Sequence, residues 1–213
     1  MTVLQGKLTR IEVQQTLDAG KTITGITKAN PPVVTATAHG YSDGDIVVMN
    51  DDITGMVEVT GQICRVDNKT TDTFELEGLN STSWSTFTAG TVSKISAFST
   101  LSVAQTFSQG GASINRLETT TLYDSEKQYV LGQSDTPEVT VDCLSDLSNT
   151  AFGLVKTASK SNTALGFRVT DSNSGKRLVR GYVSKPSESF STSAVVTASF
   201  SITQIKDRME YTS

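Results

Sequence analysis

One stretch of the sequence brings together residue types that could do chemistry. His39, the single histidine of the chain, is followed by Asp43 and Asp45 in the segment AHGYSDGD. An imidazole beside carboxylates could bind a metal ion or serve as the base of a catalytic dyad. A metal site would want a second imidazole or a thiolate nearby, and a serine hydrolase would want a Gly-x-Ser-x-Gly turn, which the chain lacks. Because Gly40 and Gly44 give backbone freedom and aspartates cap local amides, we expect a turn with a structural histidine.

The two cysteines give no sign of chemistry either. Cys64 and Cys143 are far apart, and no Cys-x-x-Cys pair or Cys/His cluster accompanies them. We therefore expect neither a disulfide nor a zinc site, but two half-buried cysteines in strands. Acids, bases and nucleophiles do not cluster with any recognised catalytic spacing, so no enzyme activity, metal or cofactor is predicted.

The composition favours strands over helices. Of the 213 residues, 36% are apolar, which is below the average for soluble proteins. Threonine and serine take many of the remaining positions, and a chain of this kind favours strands. No stretch approaches the roughly 20 apolar residues that span a bilayer. The N-terminus shows no signal-peptide pattern, so we expect a protein without a membrane segment that is made in the cytoplasm.

The charge is uneven along the chain. Residues 30–95 contain nine acidic and three basic residues, a net charge of −6, whereas the whole chain carries −4. Pro31 and Pro32 lie at the start of this segment, where they would break regular strand pairing. We predict that 30–95 is an inserted acidic module and that 1–29 and 96–213 form the host domain. Neither unit has a Lys/Arg stripe typical of specific nucleic-acid binding.

Short strands separated by turns predict that the inserted module is a small all-β barrel. The strand-like pieces are VVTATA, DIVVMN, GQICRVD, TFELEG and GTVSKI.

The host domain is predicted to be an antiparallel β-sandwich or barrel with one packed α-helix. A first strand is expected in GKLTRIEVQQTL, and a hairpin around DSNSG. Alternation places Val139, Val141 and Cys143 on one face of a strand, and the final strand alternates in the same way through Val196, Ala198, Phe200 and Ile202.

The helix pattern lies in SDLSNTAFGLVKTASKSN. Ala151, Val155 and Ala158 form an apolar stripe that should face the core. Asp146 or Ser148 is the expected N-cap.

The acidic segment resembles a recurrent small β-barrel module. The resemblance rests on Ala-His-Gly, Gly-Asp-x-Val and Thr-Phe-Glu-Leu in NPPVVTATAHGYSDGDIVVMNDDITGM and GQICRVDNKTTDTFELEG. The module is similar to the first catalytic-cysteine half-domain of ubiquitin-activating enzymes and recurs in phage tail proteins. Cys64 matches no nucleophile, so no ubiquitin chemistry is implied.

The segment Glu138–Thr203 resembles the major tail tube proteins of long-tailed phages with non-contractile tails. The match lies in the order of a strand, a capped helix, a strand, a glycine-containing hairpin, RGYVSK and a long final strand. It implies the fold of contractile-tail and type VI secretion tubes, with hexameric rings whose sheets join into an inner barrel and stack into a hollow tube. The lumen of such tubes is typically acidic, and the possible lumen acids are Glu118, Glu138 and Asp142, with Asp124 and Glu126 also open.

The resemblance further implies the partners and the location. The partners are other copies of the chain, a tape-measure protein and then double-stranded DNA in the lumen without specific binding, and tail-tip and terminator proteins. The tube would belong to the virion tail and assemble in the host cytoplasm, with the acidic module outside.

The polar segment 119–137 corresponds to the long loop that packs onto neighbouring subunits in such tubes. A solvated hairpin is the other interpretation, but tyrosines among charges favour an interface. The N-terminal strand and the tail 206–213 are further candidates for ring-to-ring contact, because they are short, polar and otherwise unanchored. The predicted interface residues are Tyr123, Asp124, Glu126, Lys127, Tyr129 and Leu131.

A second function class stays open at this point. The chain could be a surface- or carbohydrate-binding β module of a tail tip or fibre. Trp84 and Tyr41 would then be the aromatics that stack on sugars, although core or turn positions suit each of them better.

Overall fold

The computed structural model describes residues 9–111, 114–134 and 136–212. Within these ranges the chain is mainly β, with one α-helix, α1 (Thr150–Ser161), and a single 3₁₀ turn at Val57–Val59. This confirms the predicted fold class. The strands, in chain order, are β1 (Arg10–Leu17), β2 (Lys21–Ile23), β3 (Gly25–Ile26), β4 (Val33–Thr35), β5 (Ile46–Met49), β6 (Ile63–Asp67), β7 (Thr73–Leu76), β8 (Gly90–Thr100), β9 (Ala104–Gln109), β10 (Ile114–Glu118), β11 (Tyr129–Ser134), β12 (Glu138–Leu144), β13 (Leu165–Thr170), β14 (Lys176–Val183), β15 (Ser187–Ser191), β16 (Ala194–Gln204) and β17 (Met209–Tyr211).

One large antiparallel sheet contains every described strand except β10 and β11. Its order is β3-β4-β7-β6-β5-β8-β1-β13-β14-β16-β12-β9, while β2 pairs with β8, β15 with β16 and β17 with β14. β10 and β11 form a separate two-stranded sheet. The strand pieces expected in the acidic segment are present as β4 to β8, and the hairpin predicted around DSNSG joins β13 to β14.

The long strand β8 belongs to two regions of the sheet. Its first part pairs with β2 and β5, where Val47 lies opposite Lys94. Its last part pairs with β1, where Glu12 lies opposite Thr100. A single continuous strand therefore connects the acidic region to the rest of the sheet.

The first core lies between α1 and the strands β1, β12, β13, β14 and β16. The predicted helix stripe is buried here, and so are the alternating residues of the two predicted strands, with Val196 half-buried. Phe152, which flanks the stripe, is also fully buried. The main members from these elements are Val139, Val141, Cys143, Ala151, Phe152, Val155, Ala158, Ala198, Phe200 and Ile202.

Two further cores lie in and beside the acidic region. The second core packs β2 to β8 around Phe74 and Met49, and it includes Ile23 and Ile26, which precede residue 30. The third core joins the acidic region to the rest of the sheet. Its members are Ile46, Val48, Ile63, Ile95, Leu178, Met209 and Tyr211.

The predicted N-cap of the helix is wrong by one to three residues. Asn149 is the cap, and its side-chain oxygen accepts a hydrogen bond from the Phe152 backbone N–H at 3.0 Å. Asp146 instead accepts from the backbone N–H and the hydroxyl of Ser148, which shapes the turn before the helix. Three polar residues in four positions can each cap a helix, and only the path of the chain selects among them.

The expectation of an unanchored C-terminal tail is also wrong. β17 pairs with β14, and Met209 and Tyr211 are buried. The Tyr211 hydroxyl accepts the Arg65 backbone N–H at 3.0 Å and donates to the Glu77 carbonyl at 3.3 Å. Tyr211 therefore ties the tail to β6 and to the residue after β7.

The N-terminal strand is not an edge element. β1 lies between β8 and β13, and its pairing with each is antiparallel. Residues 1–8, the rest of that predicted contact segment, lie outside the described residues.

Candidate assembly surfaces

His39 occupies a buried structural position in the turn after β4. Its Nδ1 accepts the backbone N–H of Tyr41 at 3.0 Å, and its Nε2 lies 3.3 Å from the carbonyl oxygen of Thr73. This pattern assigns the proton to Nε2, which donates to Thr73. The ring centroid lies 5.0 Å from those of both Tyr41 and Phe74.

The two aspartates near His39 serve other groups. Asp43 accepts the backbone N–H of Lys69 at 2.9 Å. Asp45 accepts the backbone N–H of Ser42 at 2.8 Å and forms an ion pair with Lys94 at 2.7 Å. Across the described part of the chain, no group of three or more His, Cys, Asp or Glu side chains is arranged to hold a metal ion. The geometry of this stretch is that of the structural turn expected from the sequence.

Replacing His39 with alanine should lower the free energy of unfolding by about 2–4 kcal/mol, because it opens a cavity and leaves the buried Tyr41 N–H unpaired. The Thr73 carbonyl keeps the Thr70 backbone N–H as a partner, at 2.7 Å. His39→Asn retains a side-chain acceptor and should lose less. Urea unfolding curves of the two variants and the parent protein measure the difference. Self-assembly below the melting temperature should be unchanged; an assembly defect in a folded His39→Ala protein would contradict the structural role.

Both cysteines are more deeply buried than expected. Cys64 and Cys143 have no exposed surface, and neither forms a disulfide. Burial raises the pKa of the Cys64 thiol far above its usual range, and burial with the nearby Asp142 raises the pKa of Cys143 to about 11. Neither thiol is therefore a reactive nucleophile at neutral pH.

The aromatics considered for sugar stacking belong to the second core. Tyr41 is buried, and its hydroxyl donates to the carbonyl of Val92 at 3.1 Å. Burial raises the pKa of Tyr41 to about 12. Trp84 is half-buried against the same core. Tyr41 is thus unavailable to a ligand.

The segment from β10 to β11 forms a projecting β-hairpin, here called the assembly hairpin (114–134). Its strands pair only with each other among the described residues. Leu122 and Tyr123, in its loop, are fully exposed, at 103% and 100%. An isolated two-stranded hairpin is at best marginally stable in water. Large apolar side chains lie exposed along the whole hairpin: Ile114, Leu117, Leu122, Tyr123, Tyr129, Val130 and Leu131.

The six residues predicted for a subunit interface all lie on the assembly hairpin. Tyr123, Asp124, Glu126 and Lys127 are in its loop, and Tyr129 and Leu131 are in β11. Asp124 accepts hydrogen bonds from the backbone N–H and hydroxyl of Thr121, at 2.7 and 2.9 Å, which lower the pKa of its carboxyl group. Lys127 lies 3.7 Å from Glu118, so one possible lumen acid also belongs to this hairpin.

A second surface is a polar face of the main sheet, here called the polar strip, formed by β15, β16, β12 and β9. The opposite face of these strands packs against α1 in the first core. Cross-strand pairs such as Thr140 with Ser108 and Ser201 place hydroxyl groups side by side on the polar face. By alternation, the residues of that face are Thr106, Ser108, Glu138, Thr140, Asp142, Leu144, Ser187, Ser189, Ser191, Thr197, Ser199, Ser201 and Thr203, of which Leu144 alone is apolar.

The charge of the polar strip is negative. Glu138 is exposed and Asp142 is partly exposed, and no lysine or arginine is among the face residues named above. The Thr106 hydroxyl donates to Asp142 at 2.5 Å, and together with Ser199 it lowers the pKa of that carboxyl group. Two of the three possible lumen acids therefore share one face, whereas Glu118 does not lie on it.

The polar strip has two open edges. In the described residues, no strand pairs with the outer edge of β9 or with the outer edge of β15. Unpaired edges present rows of free N–H and C=O groups that favour pairing with another chain. The sequence had indicated shared sheets only through family resemblance; no local pattern marks β9 as an edge.

The chain matches a protein-family model over most of its length. A family model described as "Phage tail tube protein, TTP" matches residues 54–211, a range that includes α1, the assembly hairpin and the polar strip. A comparison with curated proteins found no match. No helix in the described ranges is long and apolar enough to cross a membrane.

Proposed function

Because the chain belongs to the phage tail tube protein family, we propose that its copies form hexameric rings that stack into a hollow tube and conduct the genome from capsid to host. A structural role in the tail follows from family membership. The observation that carries the finer proposal is the polar strip, which, in the part of the chain that the structure describes, is acidic, has no basic residue on its face and is open at both edges.

The strand directions of the strip suit ring closure. β15 is antiparallel to β16, β16 to β12, and β12 to β9, so the two edge strands run in opposite directions. Copies related by rotation about the ring axis have their equivalent strands running in the same direction along that axis. β15 of one copy therefore meets β9 of the next as an antiparallel pair, and a closed ring leaves no free edge.

The polar face of the strip lines the lumen, since α1 covers the other face. Strands lie about 4.8 Å apart, so six four-stranded strips give a barrel roughly 35–40 Å across between backbones, before strand tilt widens it. This leaves room for duplex DNA. Each Lys or Arg contact to a phosphate would release counterions and hold the DNA, so a lining with Glu138 and Asp142 favours sliding.

The assembly hairpin packs onto neighbouring subunits. Its exposed apolar residues supply the contact area, and its loop charges orient the contact. The hairpin starts after β9 and ends before β12, at the end of the strip near Glu138. It therefore projects from one rim of the ring.

The acidic segment 30–95 forms a module on the tube exterior, set in a tube domain of 1–29 and 96–213. The burial of Ile23 and Ile26 in the second core supports counting β2 and β3 with the module in packing terms. The sequence similarity to a half-domain of ubiquitin-activating enzymes concerns its fold alone. Its net charge of −6 keeps neighbouring tubes apart by repulsion.

The remaining partners follow from the tube's role. A tape-measure protein occupies the lumen before the DNA, and tail-tip and terminator proteins bind the two ends. Assembly takes place in the host cytoplasm, and the finished tube belongs to the virion tail. No residue is assigned a catalytic role.

Electron microscopy of the purified protein tests the proposal. Across a concentration series, negative-stain images should show ring stacks or hollow tubes above a threshold, and sedimentation should show the matching loss of monomer. Six-fold symmetry in end-on views is the expected class average. A protein that stays monomeric at every concentration and ionic strength would overturn the ring proposal.

A further inference from the structure

A groove lies beside the open edge of β9. It has a volume of about 450 Å³, and its apolar lining comes from Ile11, Leu101, Ala104 and Phe107. Phe107 pairs with the fully buried Val141, so its side chain is on the helix side of the strip. It is only partly buried, because no described strand covers that edge. The groove thus extends the first core to the subunit boundary.

An exposed phenylalanine lies on the opposite edge. Phe190, in β15, is 74% exposed. Two residues earlier, Glu188 reaches Lys156 of α1 at 2.6 Å, which places its side chain on the helix side. The pairing of β15 with β16 contains a β-bulge next to Phe190. Ser189 pairs with Thr197 and Ser191 with Ala194, so the extra residue of the bulge is on β16 and not on β15. Alternation along β15 is therefore intact, and Phe190 also faces the helix side.

The groove and Phe190 lie at the same end of the strip. The Leu144 N–H donates to the Val103 carbonyl, and the Ser145 N–H donates to the Val196 carbonyl. These bonds align the start of β9 with the part of β16 that lies opposite Phe190.

We propose that Phe190 of one copy inserts into the groove beside β9 of the next copy and is the apolar anchor of the ring interface. This inference rests on the proposed ring. Three independent features of the two edges agree: strand direction, side of the sheet and level along the strip. Buried aromatic anchors in pockets contribute strongly to the free energy of protein interfaces, so Phe190 adds to the affinity that the assembly hairpin supplies.

Cysteine crosslinking tests the position directly. The variant is Phe190→Cys/Gln105→Cys, because Gln105 is an exposed lining residue of the groove. Because this variant also lacks the phenylalanine ring, it is oxidised at protein concentrations above its raised assembly threshold, where a ladder of covalent oligomers should form. The control is Phe190→Cys/Ser108→Cys, because Ser108 is exposed on the same strand but faces the polar side. The native cysteines are buried and should not interfere.

The outcomes separate the two proposals. Assembled tubes without the Phe190–Gln105 crosslink would overturn the insertion and leave the ring intact. A second variant, Val3→Cys/Gln105→Cys, tests whether the chain's own N-terminal residues fill the groove. A crosslink within one chain in this variant would also overturn the insertion of Phe190. Absence of rings in the parent protein would overturn both proposals.

Truncation of Phe190 measures how much this side chain contributes to assembly. Phe190→Ala should raise the threshold concentration for assembly about tenfold or more, and Phe190→Leu should restore most of the loss. Val195→Ala is the matched control, because Val195 is 69% exposed on the partner strand of the same hairpin. An unchanged threshold for Phe190→Ala, with normal thermal unfolding, would overturn the anchor role.

Discussion

Tube formation should be lost when Tyr129 and Leu131 are both replaced by serine. The two residues lie on one face of β11 and are 47% and 66% exposed. Burial of a large apolar side chain at an interface contributes about 1.5–3 kcal/mol. Removal of both should therefore raise the assembly threshold by roughly 10²–10⁴-fold, beyond practical concentrations. Sedimentation and negative-stain microscopy measure the effect.

The monomer should tolerate this double substitution. The assembly hairpin forms its own two-stranded sheet and contributes no residue to the three cores. The melting temperature and the circular dichroism spectrum should therefore match those of the parent. Gln133→Ser, on the same strand and face, is the control that removes no apolar area. Tubes at the parent threshold in the double variant would contradict the interface assignment.

Basic residues in the lumen should convert the tube into a DNA-binding channel. The Glu138→Lys/Thr140→Lys variant changes two exposed residues of the polar strip and makes each copy more positive by three charges. Phosphate contacts release counterions, so DNA affinity should rise by orders of magnitude at low salt and fall steeply as salt is added. Genome passage through such a tube should slow accordingly.

Nuclease protection gives the sharpest readout of this prediction. A short duplex held in the lumen is shielded from nuclease, whereas DNA bound outside is not. Glu75→Lys/Thr71→Lys makes the same charge change on the acidic module, which then still carries a net charge of −3, so this variant should give neither strong DNA binding nor protection. Equal protection by the two variants, or none by the lumen variant despite intact tubes, would contradict the lumen assignment of the polar strip.

Elements with a single buried face were predictable from the sequence. The alternation of Val139, Val141 and Cys143 and the helix stripe of Ala151 and Val155 report directly which side meets the core. Such patterns arise because one face of a strand or helix is buried and the other is exposed to solvent. The structure confirms the strand pattern and the helix pattern.

Elements whose surroundings are set by distant parts of the chain were not predictable. Glu12 is only 7% exposed and forms an ion pair with Arg168 at 2.7 Å, because β1 lies in the middle of the sheet and is covered on both faces. Tyr211 packs against strands more than a hundred residues away in sequence, so its local context in a polar tail carried no sign of burial. The interface residues stay a prediction that rests on family resemblance, because an apolar residue in a polar loop belongs to no repeating pattern that would mark it as buried.

The continuity of β8 has a consequence for how the tube would look. A domain on a flexible tether blurs when many particles are aligned and summed. Here an unbroken strand and the Tyr211 contacts fix the acidic region to the rest of the sheet, which is the wall in the proposed tube. In a reconstruction of the tube, the outer knobs should therefore be resolved as sharply as the wall itself and should follow its helical lattice.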